Sequence, residues 1–545
     1  MLRTAKLSPI RALAAAFVLV APASFAPAQK PATDQVSAPA RRTAAAFDRA
    51  RTSGPLALQA FVARMPKGAD LHMHLSGAIY AETFLKDAAE DHLCVDVAKL
   101  SLEPATKPDG CAKGLVPAAK VFADQHLYDA LVDGFSMRAF VPSAGTNGHD
   151  QFFATFSRFD NISDSHFGEW LDEVATRAAA QNEQYLEIMK TPPFSHAATL
   201  AYQIGWPAPL VPATDADSST PDQAGGAAPA ELAAFREKLL AAGLRDELKA
   251  DDAQLNDGLA KRRQIEHCGT PQALPACSVE VRFLVQILRG FPPQQVFAQT
   301  LLGFEEASEN PSVVGLNFVM PEDGYLSMSE YHRQMLMLDY LHSVYPNVHI
   351  SLHAGELAPG LVAPAGLRFH IREAVELGHA ERIGHGVDVM YETNPDALLK
   401  ELAARHVMIE INLTSNDVIL GITPQTSPFP NYRAAHVPVA LSTDDEGVSR
   451  IDLTHEYTRA ALEFHLGYAD LKQSARTSLE HSFLPGSSLW AHPDDFVHLV
   501  NECRGEGFGA APVPACGEYL SHNLRAAQEW ELERRFQAFE NASNP

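Results

Sequence analysis

Eight short apolar runs, separated by stretches of helical periodicity, constrain this chain more than any other feature. They are "ADLHMHL" at 69–75, "QYLEIM" at 184–189, "VEVRFLVQIL" at 279–288 and "SVVGLNFV" at 312–319. "VHISLHA" at 348–354, "ERIGHGV" at 381–387, "VMIEINL" at 407–413 and "VPVALST" at 437–443 complete the set. Segments such as "SEYHRQMLMLDYLHSVY" and "NPDALLKELAARH" carry the helical pattern between them. Strand–helix alternation repeated eight times predicts an α/β fold, a parallel (β/α)8 or TIM barrel. The 545 residues exceed one ordinary domain, but such barrels with insertions reach this length.

Two insertions interrupt the alternation, at about 90–120 and 190–270, the second holding "PLVPATDADSSTPDQAGGAAPA", read as a mobile surface loop. Residues 29–64 read as a polar, loosely ordered extension, 65–490 as the barrel and 491–545 as a helical tail. The first residues place Arg3, Lys6 and Arg11 before an apolar run and a small-residue "APA" at 26–28. That is the pattern of a signal peptide over 1–28, cleaved from a secreted or periplasmic protein.

The formal charge is −24, and removal of a leader with three basic and no acidic residues leaves −27. So acidic a chain is a poor binder of nucleic acid or anionic membranes. Export permits disulfides, and the six cysteines fall into close pairs: Cys94 with Cys111, Cys268 with Cys277, Cys503 with Cys516. No C-x-x-C motif supports a cysteine zinc site.

The first run is odd for a core strand because it holds His72 and His74. In a strand these two share a face, here the barrel interior. "SLHAGE" ends the fifth run with His353 and, three residues on, Glu356; "RIGHGVD" places His385 at the end of the sixth; "LSTDDEG" places Asp444 and Asp445 after the eighth. Barrel enzymes keep their chemistry on this C-terminal face. Separately these residues read as core histidines, a polar rim and helix caps. Together they supply three histidines and an aspartate for one metal, with a histidine and an acid to spare.

"MPKGADLHMHLSGA", "HAGE", "RIGHG", "LSTDD", "NLTSND" (412–417) and "SLEHSFLPG" (478–486) stand in an order that resembles the adenosine deaminase family of the amidohydrolase superfamily. The likeness looks closest to its secreted, growth-factor-related branch and covers roughly 65–490. It implies that His72, His74, His353 and Asp444 bind one zinc ion per chain, which lowers the pKa of a water. It further implies that His385 orients that water and takes its proton. Glu356 would protonate purine N1 as C6 is attacked, and Asp445 would hold N7. Phe152, Phe153 and Phe156 fall where the family walls the base, though an amphipathic helix packing on the barrel explains them equally well. Met320 stands where the family usually has glycine, in a loop whose main-chain N–H meets N3. Ser76 replaces the aspartate that bonds the ribose 5′-hydroxyl in the best-known members.

The expectation is a zinc-dependent hydrolase converting adenosine or 2′-deoxyadenosine to inosine or 2′-deoxyinosine plus ammonia. Its partners would be a small purine nucleoside and water, with no nucleic acid or membrane; a homo-oligomer is left open. Alternatives are a deaminase of another 6-amino- or 6-methylaminopurine nucleoside or nucleotide, or a non-catalytic nucleoside-binding protein on the same fold. The fourth run lacks the lysine that binuclear amidohydrolases carboxylate, and "HAE" at 379–381 lacks the C-x-x-C of cytidine-deaminase-type sites.

Overall fold

The computed structural model describes residues 37–106, 110–162, 164–208, 227–505 and 507–542. The leader expected over 1–28 and most of the Ala/Pro/Asp-rich loop lie outside them. Eight parallel strands form one sheet in sequence order. They are β1 (Gly68–His74), β2 (Glu183–Lys190), β3 (Glu280–Leu288), β4 (Val313–Val319), β5 (His349–Ala354), β6 (Arg382–His385), β7 (Met408–Ile411) and β8 (Val439–Leu441). The sheet closes on itself just past β8. There the Asp444 N–H donates to His72 O at 2.8 Å, and Asp444 O accepts from the His74 N–H at 3.3 Å. The fold is a TIM barrel, and every strand overlaps one of the eight apolar runs.

The strands are buried almost throughout because helices cover the outer face, as parallel sheets require. Tyr331–Val344 and Pro395–Ala404 are helices, in line with their periodicity. The first insertion folds as a three-stranded antiparallel sheet from Cys94–Asp96, Ser101–Glu103 and Val116–Pro117. The second contributes helices Ser195–Ile204, Pro229–Ala241 and Leu248–Ile265. Cys94–Cys111, Cys268–Cys277 and Cys503–Cys516 are disulfide-bonded, the three local pairs expected.

One expectation fails. The extension before the barrel is not loosely ordered over its described part: Ala38–Ser53 and Pro55–Val62 are helices. Ser37 caps the first by accepting from the Ala40 N–H. Phe47, Leu58 and Val62 are fully buried. Each apolar side chain so buried contributes about 1.5–3 kcal/mol, which offsets the polar composition that suggested disorder. The tail ends in helices Pro514–His522 and Leu524–Ala542; Phe536 is buried, and Arg476 grips Glu533 at 2.6 Å. No described helix is long and apolar enough to cross a membrane.

Candidate active site

β1 carries His72 and His74 on its inward face, β5 carries His353 near its end, and Asp444 follows β8 at the seam. All four are buried, and they offer ligand atoms that all lie within 4.8 Å of one another. Their hydrogen bonds determine which ring nitrogen faces the centre. Glu410 Oε2 lies 2.6 Å from His72 Nδ1, Gln286 Oε1 3.2 Å from His74 Nδ1, and Asn317 Oδ1 2.8 Å from His353 Nδ1. A carboxylate or amide oxygen only accepts, so each Nδ1 holds the proton and each Nε2 turns a lone pair inward.

The fit to a metal follows from those lone pairs. His72 Nε2 is buried without a hydrogen-bond partner, and the Nε2 atoms of His74 and His353 face each other at 3.2 Å. Asp444 Oδ1 stands 3.6 Å from His72 Nε2 and 3.3 Å from His74 Nε2. Three lone pairs and a carboxylate oxygen converging on one point need a cation among them. Three imidazoles and one carboxylate, each imidazole oriented by an outer acceptor, suit zinc. Burial lowers His74 to about 4 and His353 well below the usual imidazole range, so both stay neutral, the form that binds metal. Burial alone raises Asp444, but His385, His72 and His74 outweigh it and hold the carboxyl below its ordinary range.

Beside this cluster, His385 ends β6. Its Nδ1 donates to Asn416 Oδ1 at 2.9 Å, which leaves Nε2 as acceptor, 3.7 Å from Asp444 Oδ2. The Glu356 carboxyl lies 3.7 Å from His385 Nδ1. Burial first, then the charges of Asp444 and Glu322, push Glu356 well above the usual carboxylate range. Asp445 is pushed up likewise, by burial and by Asp444. Its carboxyl fills space that any side chain at Gly77 would occupy. Met320, His385 and Asp444 have φ of 92°, 67° and 62°. Left-handed backbone at non-glycine residues costs about 1–3 kcal/mol each and gathers at functional sites.

The cluster opens into a cavity of about 670 Å³, within the range of small-molecule sites. Every substrate-pocket residue expected from the sequence lines it: Ser76, Phe152, Phe153, Phe156, Met320 and Asp445. The three phenylalanines sit on the helix Gly148–Phe159, with Phe152 buried in the core. That helix therefore both packs on the barrel and walls the cavity. Its His149 Nε2 lies 3.1 Å from Asp323 Oδ1, in the turn after β4.

Several participants escaped the sequence reading. Gln286 and Trp170 line the cavity, as do Asp160 and Asp164 at its outer part. Gln286 and Glu410 each carried a signal, a polar residue inside an apolar barrel strand. Trp170, on helix Phe167–Ala180, reads only as one more core residue of an amphipathic helix.

Comparison with known proteins gives the same direction. Residues 253–489 match the adenosine deaminase family model, a span that holds His353, Glu356, His385, Asp444 and Asp445. The adenosine deaminase of Shewanella loihica is 37% identical over 139 residues, covering 25% of this chain and 39% of that protein. The Escherichia coli adenosine deaminase is 36% identical over 137 residues, covering 25% of this chain and 38% of that protein. The chain thus spans about two-fifths of the length of these curated relatives. Among solved structures, the Arabidopsis N6-mAMP deaminase covers 78% of this chain and 96% of its own, at 20% identity and a TM-score of 0.47. With HAGE, RIGHG and LSTDD inside the matched span and their side chains gathered at one mouth of the barrel, the part of the barrel within residues 253–489 matches the adenosine deaminase family.

Proposed function

We propose that this protein is an exported, zinc-dependent purine nucleoside deaminase acting on adenosine or 2′-deoxyadenosine. One observation carries the reading: three inward-facing Nε2 atoms and Asp444 converge within 4.8 Å, with Glu356 and His385 against them. His72, His74, His353 and Asp444 would hold the zinc ion. Bound there, zinc supplies the Lewis acidity that makes water a nucleophile near neutral pH.

The chain's own groups do the rest. His385 Nε2, kept as an acceptor by Asn416, takes the proton of the attacking water. Glu356, kept protonated by burial, donates to purine N1 and so makes C6 electrophilic. Asp445, also kept protonated, donates a hydrogen bond to N7, which can only accept. His385 would then pass that proton to the departing amino group and Glu356 would recover one from the new C6 hydroxyl, so that ammonia leaves and a 6-oxopurine remains. The aromatic wall of Phe152, Phe153 and Phe156 keeps bulk water from the base.

The cavity favours a nucleoside over a nucleotide. Among the described residues lining it there is no lysine or arginine, while Asp160 and Asp164 are present. A 5′-phosphate there would meet carboxylates without a cation to pair it. The three disulfides agree with an oxidising location.

Ammonia release by the full protein, metal-stripped and zinc-restored, tests the reading. Zinc-dependent release from adenosine is expected, with kcat/KM for AMP at least a hundredfold lower. A folded, zinc-loaded sample that binds adenosine without releasing ammonia would make it a binding protein instead.

A further inference from the structure

The side chain that holds the catalytic segment in place stands two residues past Met320, in a loop that the sequence singled out only for its main-chain N–H. Glu322, in the turn after β4, is 2% exposed. Its Oε1 accepts from the Gly355 N–H at 3.0 Å and its Oε2 from the Glu356 N–H at 2.7 Å. His370 Nδ1 donates to Oε1 from the far side, and Arg289 Nη1 stands 3.8 Å away. Both oxygens are therefore committed to the peptide that carries Glu356.

The segment has little freedom left. Arg289 Nη2 donates to His353 O at 2.7 Å, and Gly355 O accepts from the Val387 N–H at 2.8 Å. Gly355 has φ of 73°, and any side chain there would overlap the Asp388 carboxyl and Ile371. The Glu356 carboxyl, by contrast, has only His385 Nδ1, at 3.7 Å, within ion-pair range among the described residues. Among the described residues no neighbouring side chain pins the carboxyl tightly, so its aim depends on the anchored backbone from which it projects.

We infer that Glu322 is a positioning residue for catalysis: its clamp on the Gly355 and Glu356 amides aims the Glu356 carboxyl at the substrate. The inference rests on the deaminase reading, since it needs Glu356 to be the proton donor. Misplacing a catalytic group by about 1 Å costs about a hundredfold in rate, and loss of an outer-shell partner about 10–100-fold.

A double-mutant cycle tests it. Glu322→Gln keeps the size of the side chain but turns an NH2 toward one of the two amides, so one clamp is lost whichever way it faces. The expected result is kcat down about 10–100-fold, with KM, zinc content and inosine affinity each within about threefold of wild type. In a Glu356→Gln background the same change should move the residual kcat by less than about threefold, because no donor remains to be misaimed. Equal losses in both backgrounds, or a rise in KM with kcat unchanged, would overturn the inference and leave the deaminase reading standing. Wild-type kcat in Glu356→Gln alone would instead overturn that reading. If Glu322→Gln does not fold, His370→Gln, which removes the third partner of Glu322 from the side away from the segment, enters the cycle under the same criteria.

Discussion

His72 Nδ1 and Glu410 Oε2 are 2.6 Å apart, and neither side chain is exposed. The bond is the inner end of a buried chain of charge. Arg382 Nε donates to Glu410 Oε1 at 2.7 Å, and Arg382 Nη2 pairs with Glu187 Oε2 at 2.7 Å. Fixed in this way, His72 has one tautomer and one ring orientation. Glu410→Gln removes the charge that makes the ring a good ligand while keeping its shape. Zinc affinity, measured by chelator competition, should fall about 10–100-fold. Unchanged affinity would release Glu410 from this role.

Met320 adopts φ of 92°, a conformation that suits glycine, and its side chain sits half-exposed at the cavity wall against Gly290. Met320→Gly relieves the strain and widens the pocket without removing a main-chain donor. Stability should change by less than about 1 kcal/mol, since the added unfolded-state entropy opposes the relieved strain. KM should drop for purines bearing an extra substituent at the base edge and stay constant for adenosine. A substrate profile identical to wild type would place Met320 away from the base.

Ser76 is exposed at the cavity and follows the second metal-site histidine by two residues. Ser76→Asp adds a carboxylate that accepts well from a free hydroxyl. The ranking of nucleosides by kcat/KM should shift toward those with an unmodified 5′-hydroxyl over those blocked there. If the ranking of a 5′-hydroxyl and 5′-deoxy pair holds, Ser76 does not touch the sugar.

His149 ties the aromatic helix to the turn after β4, and its pKa is raised. Burial alone would lower it, but Asp323 and Asp150 outweigh that. A pKa above the unfolded value of about 6.5 means stabilisation present below that pH and lost as pH rises through the folded value. The pair is partly exposed, so about 1 kcal/mol or less is at stake. The gap in Tm between wild type and His149→Gln should be widest near pH 6 and narrow toward pH 8.5. A gap independent of pH would show that the charged pair does not hold the helix.

What was legible in the sequence, and what was not, divides along the range of the interactions. Strands announce themselves locally, because a buried parallel strand must be a continuous apolar run. His72 and His74 stood out as polar residues interrupting such a run; Glu410 interrupts another in the same way but was passed over. Asp444 and Asp445 stood out by position after the last one. Glu322 had no such mark: it lies in a polar turn, where an acid is unremarkable, and its value comes from amides that only folding brings near. Asp160 and Asp164 were hidden for the same reason. The helices at 38–62 were underrated because Arg41, Arg42, Arg49 and Arg51 make the first of them read as polar, though Phe47 and Leu58 are fully buried.

Asp444 is both the seam of the barrel and one wall of its socket. The first strand is made early in synthesis and waits, with two histidines, for a residue near the other end of the chain. A parallel barrel cannot be zipped shut until its first and last strands meet. The carboxylate of the candidate site therefore arrives with the final pairing event, and a chain stalled or clipped before residue 444 has imidazoles but no cup. Under the zinc reading proposed above, metal uptake would be a mark of completion, separating finished barrels from everything that precedes them.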